Sequence, residues 1–141
     1  MMHDDNNDEP YLFYIKGTKF SLQIDAGNSP KSYKQFEELL EEEGLKKPDL
    51  LVLTHWHWDH TFGLTSAKCP VIASNKTQEY LKDVLTWSWN EEDMLQRIKE
   101  KKDIEFCYEK MHVEYPDISK ISTRLADIVI DSKTTIDLGD I

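Results

Sequence analysis

Several features of common protein classes are scarce in this sequence. Its 141 residues include only two cysteines, Cys69 and Cys107, without paired spacing, so neither a disulfide framework nor a cysteine-based zinc site is expected. Both thiols are predicted to be reduced and buried or half-buried. No apolar run approaches the roughly 18 residues of a membrane span, and the acidic start, MMHDDNNDEP, lacks the basic and apolar regions of a secretory signal. We therefore expect a cytoplasmic protein without membrane partners.

Basic residues are also scarce. The chain has 17 Lys and Arg against 27 Asp and Glu, a net charge of −10, and nucleic-acid binding depends on clustered basic side chains. Nucleic acid is therefore not expected as a partner, and a small-molecule substrate is. A glycine-rich phosphate loop is missing from the sequence, as is a serine or cysteine nucleophile with its base. The length predicts a single domain, residues 1–141.

The pattern of apolar residues predicts alternating strands and helices, an α/β class. Ser29 followed by Pro30 is a good helix start, and Gly44 is a good helix end. The predicted strands cover residues 11–25 (two strands with a turn at 16–18), 48–54, 69–74, 126–131 and 133–141, and a helical stretch fills residues 75–119.

The segment LVLTHWHWDH holds three of the five histidines. In an extended chain His55 and His57 share one face and can converge on one cation. If a helix begins at Asp59, then Asp59 and His60 can reach a second, adjacent cation. Imidazole and carboxylate donors suit zinc, iron or manganese, and zinc is preferred because no redox partner is visible. The alternative is a chance cluster that packs in the core and binds no metal.

Residues 54–64, THWHWDHTFGL, resemble the His-x-His-x-Asp-His signature of the metallo-β-lactamase superfamily. FSLQIDAG resembles the strand ending in Asp-x-Gly that precedes this signature in the family. ADIVIDSKTTIDLGD resembles the hairpin that precedes the family's next metal-binding histidine. The resemblance implies an α/β/β/α sandwich, of which this chain supplies the first half or somewhat more, with residues 75–119 as a helical insertion.

The resemblance also implies a set of site residues. His55 and His57 are implied as ligands of a first zinc ion, and Asp59 and His60 as ligands of a second. Asp25 is implied as a buried carboxylate that supports the ligands and fixes their orientation. Such a pair of metals activates a bridging water for hydrolysis, and Asp59 is the implied catalytic residue that holds this water in line. Because diiron relatives commonly have glutamate at the position of His57, the imidazole favours hydrolysis over oxygen or nitric oxide reduction.

The family's remaining metal ligands have no match in these residues. Only His3 and His112 are left, and His112 is expected to be a surface or half-buried helical histidine. With two ligands for each metal, three interpretations stay open. The chain is the amino-terminal portion of a hydrolase, a truncated and catalytically incomplete metal-binding or interaction module, or a fold whose histidines bind nothing. A missing half also predicts exposed sheet edges, and with them either homo-oligomers or a complementing carboxyl-terminal segment.

The two tryptophans of the helical stretch have two interpretations. Trp87 and Trp89 lie between its apolar stripes, directly before an acidic run. They mark either a helix break that packs on the core or a wall that gates a substrate site.

Overall fold

The computed structural model describes residues 9–141, and His3 lies outside the described residues. Within them the chain forms a five-stranded mixed sheet and five α-helices, which confirms the predicted α/β class. In chain order the elements are β1 (Phe13–Lys16), β2 (Ser21–Ile24), α1 (Pro30–Glu42), β3 (Leu50–Val52), α2 (Trp58–Thr61), β4 (Val71–Ser74), α3 (Asn75–Leu85), α4 (Glu91–Lys99), α5 (Glu105–Glu114) and β5 (Ile128–Ile130), with short 3-10 helices at Phe62–Ser66 and Ile118–Lys120.

The order of strands in the sheet follows their order in the chain. β1 pairs with β2 in antiparallel fashion, and all the other neighbouring pairs are parallel. The carboxyl ends of β2, β3 and β4 therefore meet at one edge of the sheet, which is where α/β folds usually place ligand sites. At the open side of β5, Ile128 and Val129 are each 45% exposed. Self-association through this strand stays a prediction.

Helix α1 begins and ends where the sequence predicts. The Ser29 hydroxyl accepts a hydrogen bond from the Ser32 amide, and the Ser32 hydroxyl accepts one from the Ser29 amide. Pro30 occupies the first turn, where its missing N–H costs nothing. Tyr33 points into the core against the sheet, and Gly44 lies directly beyond the helix end in the left-handed region, with φ of +68°.

The stretch predicted to be helical contains α3, α4 and α5. Ser74 and Asn90 cap the first two of these helices by accepting hydrogen bonds from the amides of Thr77 and Asp93. These helices build a second apolar cluster beside the main core, formed by Trp58, Phe62, Val84, Met94, Met111, Tyr115 and Ile121. The helical character is confirmed, and the interpretation of this stretch as an insertion stays a prediction.

The end of α5 is fastened to the loop that follows β2. The Tyr115 hydroxyl donates to the Asn28 carbonyl at 3.0 Å, and the Ser29 hydroxyl donates to the Glu114 carboxylate. Tyr115 and Glu114 are both at least nine-tenths buried. These bonds fix the helical stretch relative to the sheet edge that carries the histidines.

The predicted strand at residues 133–141 is wrong, because this segment is irregular. The Leu138 carbonyl accepts a hydrogen bond from the Lys19 amide at 2.9 Å, and the Thr18 amide donates to Asp140 Oδ1 at 2.7 Å. These polar groups therefore pair with the turn between β1 and β2 instead of with a neighbouring strand. An alternating sequence pattern fits a strand only where the fold offers it a partner.

None of the helices within residues 9–141 is long and apolar enough to cross a membrane. Within residues 9–141, neither Cys69 nor Cys107 forms a disulfide bond. Both side chains are half-buried, as predicted from the sequence.

Candidate metal centre

The candidate site lies where β2 and β3 end. Asp25 directly follows β2, and the segment from His55 to His57 follows β3. Asp59 and His60 lie in the single turn of α2, which starts at Trp58, one residue before the start predicted from the sequence. The structure thus brings together all five site residues that were named from the sequence, while their roles stay predictions.

Asp25 is buried at 3% exposure and has the left-handed backbone conformation, with φ of +60°. Residues other than glycine adopt this region rarely, and such residues cluster at functional sites. Here the conformation is held by the Asp25 amide, which donates to the Val52 carbonyl at 2.9 Å. The side chain can then accept hydrogen bonds from the Thr54 amide at 2.8 Å and from the Thr54 hydroxyl at 2.7 Å.

His60 is held between two carboxylates. Its Nδ1 lies 2.8 Å from Asp25 Oδ2, and its Nε2 lies 3.0 Å from Asp59 Oδ2. Burial alone would lower the pKa of His60, but the hydrogen bonds to Asp25 and Asp59 outweigh burial and raise this pKa to about 9. Burial would likewise raise the pKa of Asp59, yet the hydrogen bond to His60 lowers it. In the metal-free chain His60 is therefore an imidazolium that donates from both nitrogens at neutral pH.

The hydrogen bonds around Thr54 determine which nitrogen of His55 is free. The Thr54 hydroxyl has a single proton, which it donates to Asp25 Oδ2. Its oxygen also lies 2.9 Å from His55 Nδ1, so it must accept a hydrogen bond there and Nδ1 must carry the proton. The lone pair of His55 is then on Nε2, the nitrogen left available for a metal.

The three imidazoles of the cluster are neighbours. The ring centroids of His55 and His57 are 4.6 Å apart, and those of His55 and His60 are 4.1 Å apart. Burial and the nearby charges of His60 and His57 lower the pKa of His55, so this ring is unprotonated at neutral pH. His57 is exposed to solvent. An unprotonated and an exposed imidazole side by side can receive a cation.

The donor chemistry fits zinc, and the number of donors falls short. Two ligands of a tetrahedral zinc ion lie about 3.3 Å apart, which is close to the 3.0 Å between His60 Nε2 and Asp59 Oδ2. A metal could therefore replace the shared proton with little movement of either side chain. However, residues 9–141 contain no group of three or more His, Cys, Asp and Glu arranged to hold a metal ion. A catalytic zinc normally takes three protein ligands.

His112 lies away from this cluster, on α5. Its Nε2 is 2.6 Å from Glu91 Oε1, and its Nδ1 is 2.8 Å from the Tyr108 carbonyl oxygen. Both nitrogens thus have partners, and the bond to Glu91 joins α5 to α4. The ring is half-buried on a helix, as predicted from the sequence.

Sequence reasoning missed the role of Thr54. Its hydroxyl connects Asp25 to His55. It was assigned no role from the sequence, although it directly precedes the first histidine of the segment. The available signal was its position at the end of β3, beside the end of β2 where Asp25 follows. Neighbouring parallel strands bring such positions together.

A cavity of about 400 Å³ opens beside His57 and Asp59. Its opposite wall is built by the helical stretch and includes Trp87 and Trp89. These two tryptophans also pack against the second apolar cluster. Packing on the core agrees with the interpretation as a helix break, and the gating of a substrate site stays a prediction.

The chain resembles known proteins over part of its own length and part of theirs. Residues 10–68 match the sequence profile of the metallo-beta-lactamase superfamily. The structure is similar to the native FEZ-1 metallo-beta-lactamase from Legionella gormanii, with a TM-score of 0.58, 14% identity and coverage of 92% of this chain and 43% of that one. It is also similar to BJP-1, a subclass B3 metallo-beta-lactamase of Bradyrhizobium japonicum, with a TM-score of 0.58, 16% identity and coverage of 92% and 42%.

At these identities the solved structures establish the fold alone, and the chain spans less than half the length of either enzyme. No curated protein sequence matches the chain. The matched profile covers β2, β3 and the whole histidine segment, and the structural similarity extends over the helical stretch as well. By sequence, residues 10–68 are therefore similar to the metallo-β-lactamase superfamily, and by fold the chain corresponds to roughly the amino-terminal half of metallo-β-lactamase structures.

Proposed function

We propose that this chain is the amino-terminal part of a metal-dependent hydrolase with a dinuclear zinc centre. His55 and His57 are assigned to the first zinc ion, and Asp59 and His60 to the second. The observation that carries the proposal is the 3.0 Å approach of His60 Nε2 to Asp59 Oδ2, directly beside the other two imidazoles. The match of residues 10–68 to the superfamily's profile supports the choice of zinc, because this superfamily typically binds it.

The chain's own residues supply orientation and proton placement. Asp25 accepts from His60 Nδ1 and leaves Nε2 facing Asp59. Through Thr54, Asp25 also keeps the lone pair of His55 on Nε2. When bound, zinc supplies Lewis-acid polarisation of the substrate and lowers the pKa of water to near neutrality. Asp59 is the residue that we assign to holding the attacking water in line.

Two donors for each metal are too few for a catalytic site, so each metal would need further ligands. A catalytic zinc takes about three protein ligands, and the described residues provide no such group of three. We propose that polypeptide outside residues 9–141, from the same protein or from a second chain, completes the site. The net charge of −10 supports a small-molecule substrate over nucleic acid.

One alternative has an observation in its favour. A truncated, catalytically incomplete metal-binding or interaction module would not need the third protein ligand of a catalytic zinc, and residues 9–141 contain no group of three such ligands. The two proposals differ in turnover. Zinc-dependent hydrolysis of an ester, thioester, phosphodiester or β-lactam by the longest natural product of the gene supports the hydrolase. Zinc binding without any such turnover supports the module.

Measuring zinc binding to the 141-residue chain distinguishes both proposals from the third interpretation, in which the histidine cluster binds no metal. We expect His57→Ala to weaken zinc binding by about tenfold or more, because it removes one of only two donors at its position. The measurement is equilibrium dialysis against zinc at pH 7, with bound metal determined by elemental analysis.

The matched control is His112→Ala, which removes an imidazole outside the cluster. Its zinc binding is expected to equal that of the unaltered chain, with folding of all three proteins checked by circular dichroism. If the two alanine variants and the unaltered chain bind zinc alike, the histidine cluster is not a metal centre.

A further inference from the structure

The cavity beside the candidate metal centre has an unusually aromatic lining. All four tryptophans of the chain line it, and Phe62 and Phe106 add two more rings. Its volume of about 400 Å³ falls within the range of about 300 to 1,000 Å³ that is typical of small-molecule sites. It also touches His57 and Asp59, so a ligand in the cavity would place one end at the candidate metal centre.

The tryptophan wall is held in place by a buried cation behind it. The Arg97 guanidinium lies 4.8 Å from the ring centroids of both Trp87 and Trp89. Arg97 is only 7% exposed, and its Nη1 donates to the Ser88 carbonyl at 2.7 Å. Contacts of this kind, when shielded from water, fix ring positions by cation–π attraction. The wall is therefore preformed.

The charged side chains that line the cavity all lie near an opposite charge. Asp103 at the cavity interacts favourably with the positive charge of Arg97. Lys102, at the mouth, lies 2.8 Å from a carboxylate oxygen of Glu100. Asp59 is neutralised by His60, as described above. An ion in the cavity would therefore meet charges that are already partly balanced within the chain.

We propose that this cavity binds an uncharged apolar portion of the substrate, an acyl chain or ring of about eight carbons, with the bond to be cleaved next to His57. Only the identification of the ligand as a substrate rests on the proposed hydrolase function. A charged group in the cavity would lose its hydration without gaining an ion-pair partner that is not already engaged within the chain. A neutral apolar group gains from burial against the rings at no electrostatic cost.

The test uses three eight-carbon probes that differ in charge: 1-octanol, octanoate and octylammonium. Each is titrated into the zinc-free chain in the presence of EDTA at pH 7.5, and binding is followed by tryptophan fluorescence. Because all four tryptophans line the cavity, occupancy must change the signal. We expect saturable binding of 1-octanol at one site, and binding of both charged probes at least about fivefold weaker, by the cost of burying a charge.

The variant is Phe106→Ala, and the matched control is Phe20→Ala. Both side chains are about half exposed, at 49% and 48%, so both variants should fold, but only Phe106 lines the cavity. We expect Phe106→Ala to weaken 1-octanol binding about fivefold, by loss of apolar contact area, and Phe20→Ala to leave it unchanged. Non-saturable binding, tighter binding of a charged probe, or equal effects of the two variants would each overturn the proposal.

Failure of the cavity proposal is separable from failure of the hydrolase proposal. The octanol titration contains no zinc, and the zinc dialysis contains no octanol. A chain that binds 1-octanol as expected, but whose zinc binding is insensitive to His57→Ala, retains the apolar site and loses the metal centre. The reverse result retains the metal centre and loses the apolar site.

Discussion

Replacing Gly63 with alanine is expected to destabilise the chain by about 3 kcal/mol, the upper part of the range for overpacked sites. A Cβ at this position would lie 2.0 Å from the Ala26 carbonyl oxygen and 3.1 Å from the Ser29 carbonyl oxygen. These are backbone atoms, which cannot move aside as a flexible side chain would. The measurement is urea denaturation followed by far-ultraviolet circular dichroism.

The matched control is Gly44→Ala. Gly44 has a positive φ of +68°, and an added Cβ there meets no atom within 4 Å. Its expected cost is about 1 kcal/mol, from backbone conformation alone. Equal losses at the two glycines would contradict the close approach at Gly63.

The close approach at Gly63 matters for the candidate site. The Gly63 amide donates to the Gly27 carbonyl at 3.1 Å, and the Ala26 amide donates to the His60 carbonyl at 2.9 Å. These two bonds join the loop after Asp25 to the segment after His60. A side chain at position 63 would push this loop and this segment apart, so we expect Gly63→Ala to weaken zinc binding as well.

In the metal-free chain, stability is expected to fall by on the order of 3 kcal/mol as the pH rises from about 6.5 to above 9. The cause is His60, whose pKa is about 9 in the folded chain and close to 6.5 when unfolded. Because the folded pKa is the higher one, the imidazolium stabilises the fold. This contribution is complete below pH 6.5 and is lost as the pH passes through 9.

The measurement is the free energy of unfolding at several pH values in the presence of EDTA. The pKa of His112 is also raised, by its hydrogen bond to Glu91 against the opposing effect of burial, and its contribution has the same sign. The experiment is therefore done in the His112→Ala background. There, Asp25→Asn is expected to flatten the pH dependence, because the amide keeps the shape of the side chain but removes the charge that faces His60 Nδ1.

A pH profile that is already flat in the His112→Ala background would contradict an imidazolium at His60 that donates hydrogen bonds to both carboxylates. An unchanged slope in the Asp25→Asn variant would instead show that Asp59 alone raises the pKa of His60. Nuclear magnetic resonance titration of the His60 ring gives the pKa directly.

The sequence predicts the local elements well, because their signals are local. Ser29 and Pro30 mark the start of α1 through one hydroxyl and one ring. The strand that ends before His55 is an uninterrupted apolar run, as expected for a strand covered on both faces. Asp25 was connected to the histidines only by family resemblance, since no local pattern relates residues so far apart in the chain.

The features that were missed depend on contacts between distant segments. Thr54 links Asp25 to His55 only because β2 and β3 are neighbours. The segment around Leu138 has a strand-like pattern but pairs with the turn after β1. The cavity needs Trp87, which follows α3, and Phe106, which lies on α5, to line the same space. Apolar stripes indicate that helices pack, but they do not specify against which partner.

The single carboxylate of Asp25 would also make the two proposed metal positions interdependent. Asp25 Oδ2 accepts both from His60 Nδ1 and from the Thr54 hydroxyl that faces His55. If zinc took the place of the proton on His60, the charge facing Asp25 would change, and so would the strength of its bond to Thr54. We therefore expect filling of the two positions to be cooperative. By thermodynamic reciprocity, each ion alters the affinity for the other by the same factor.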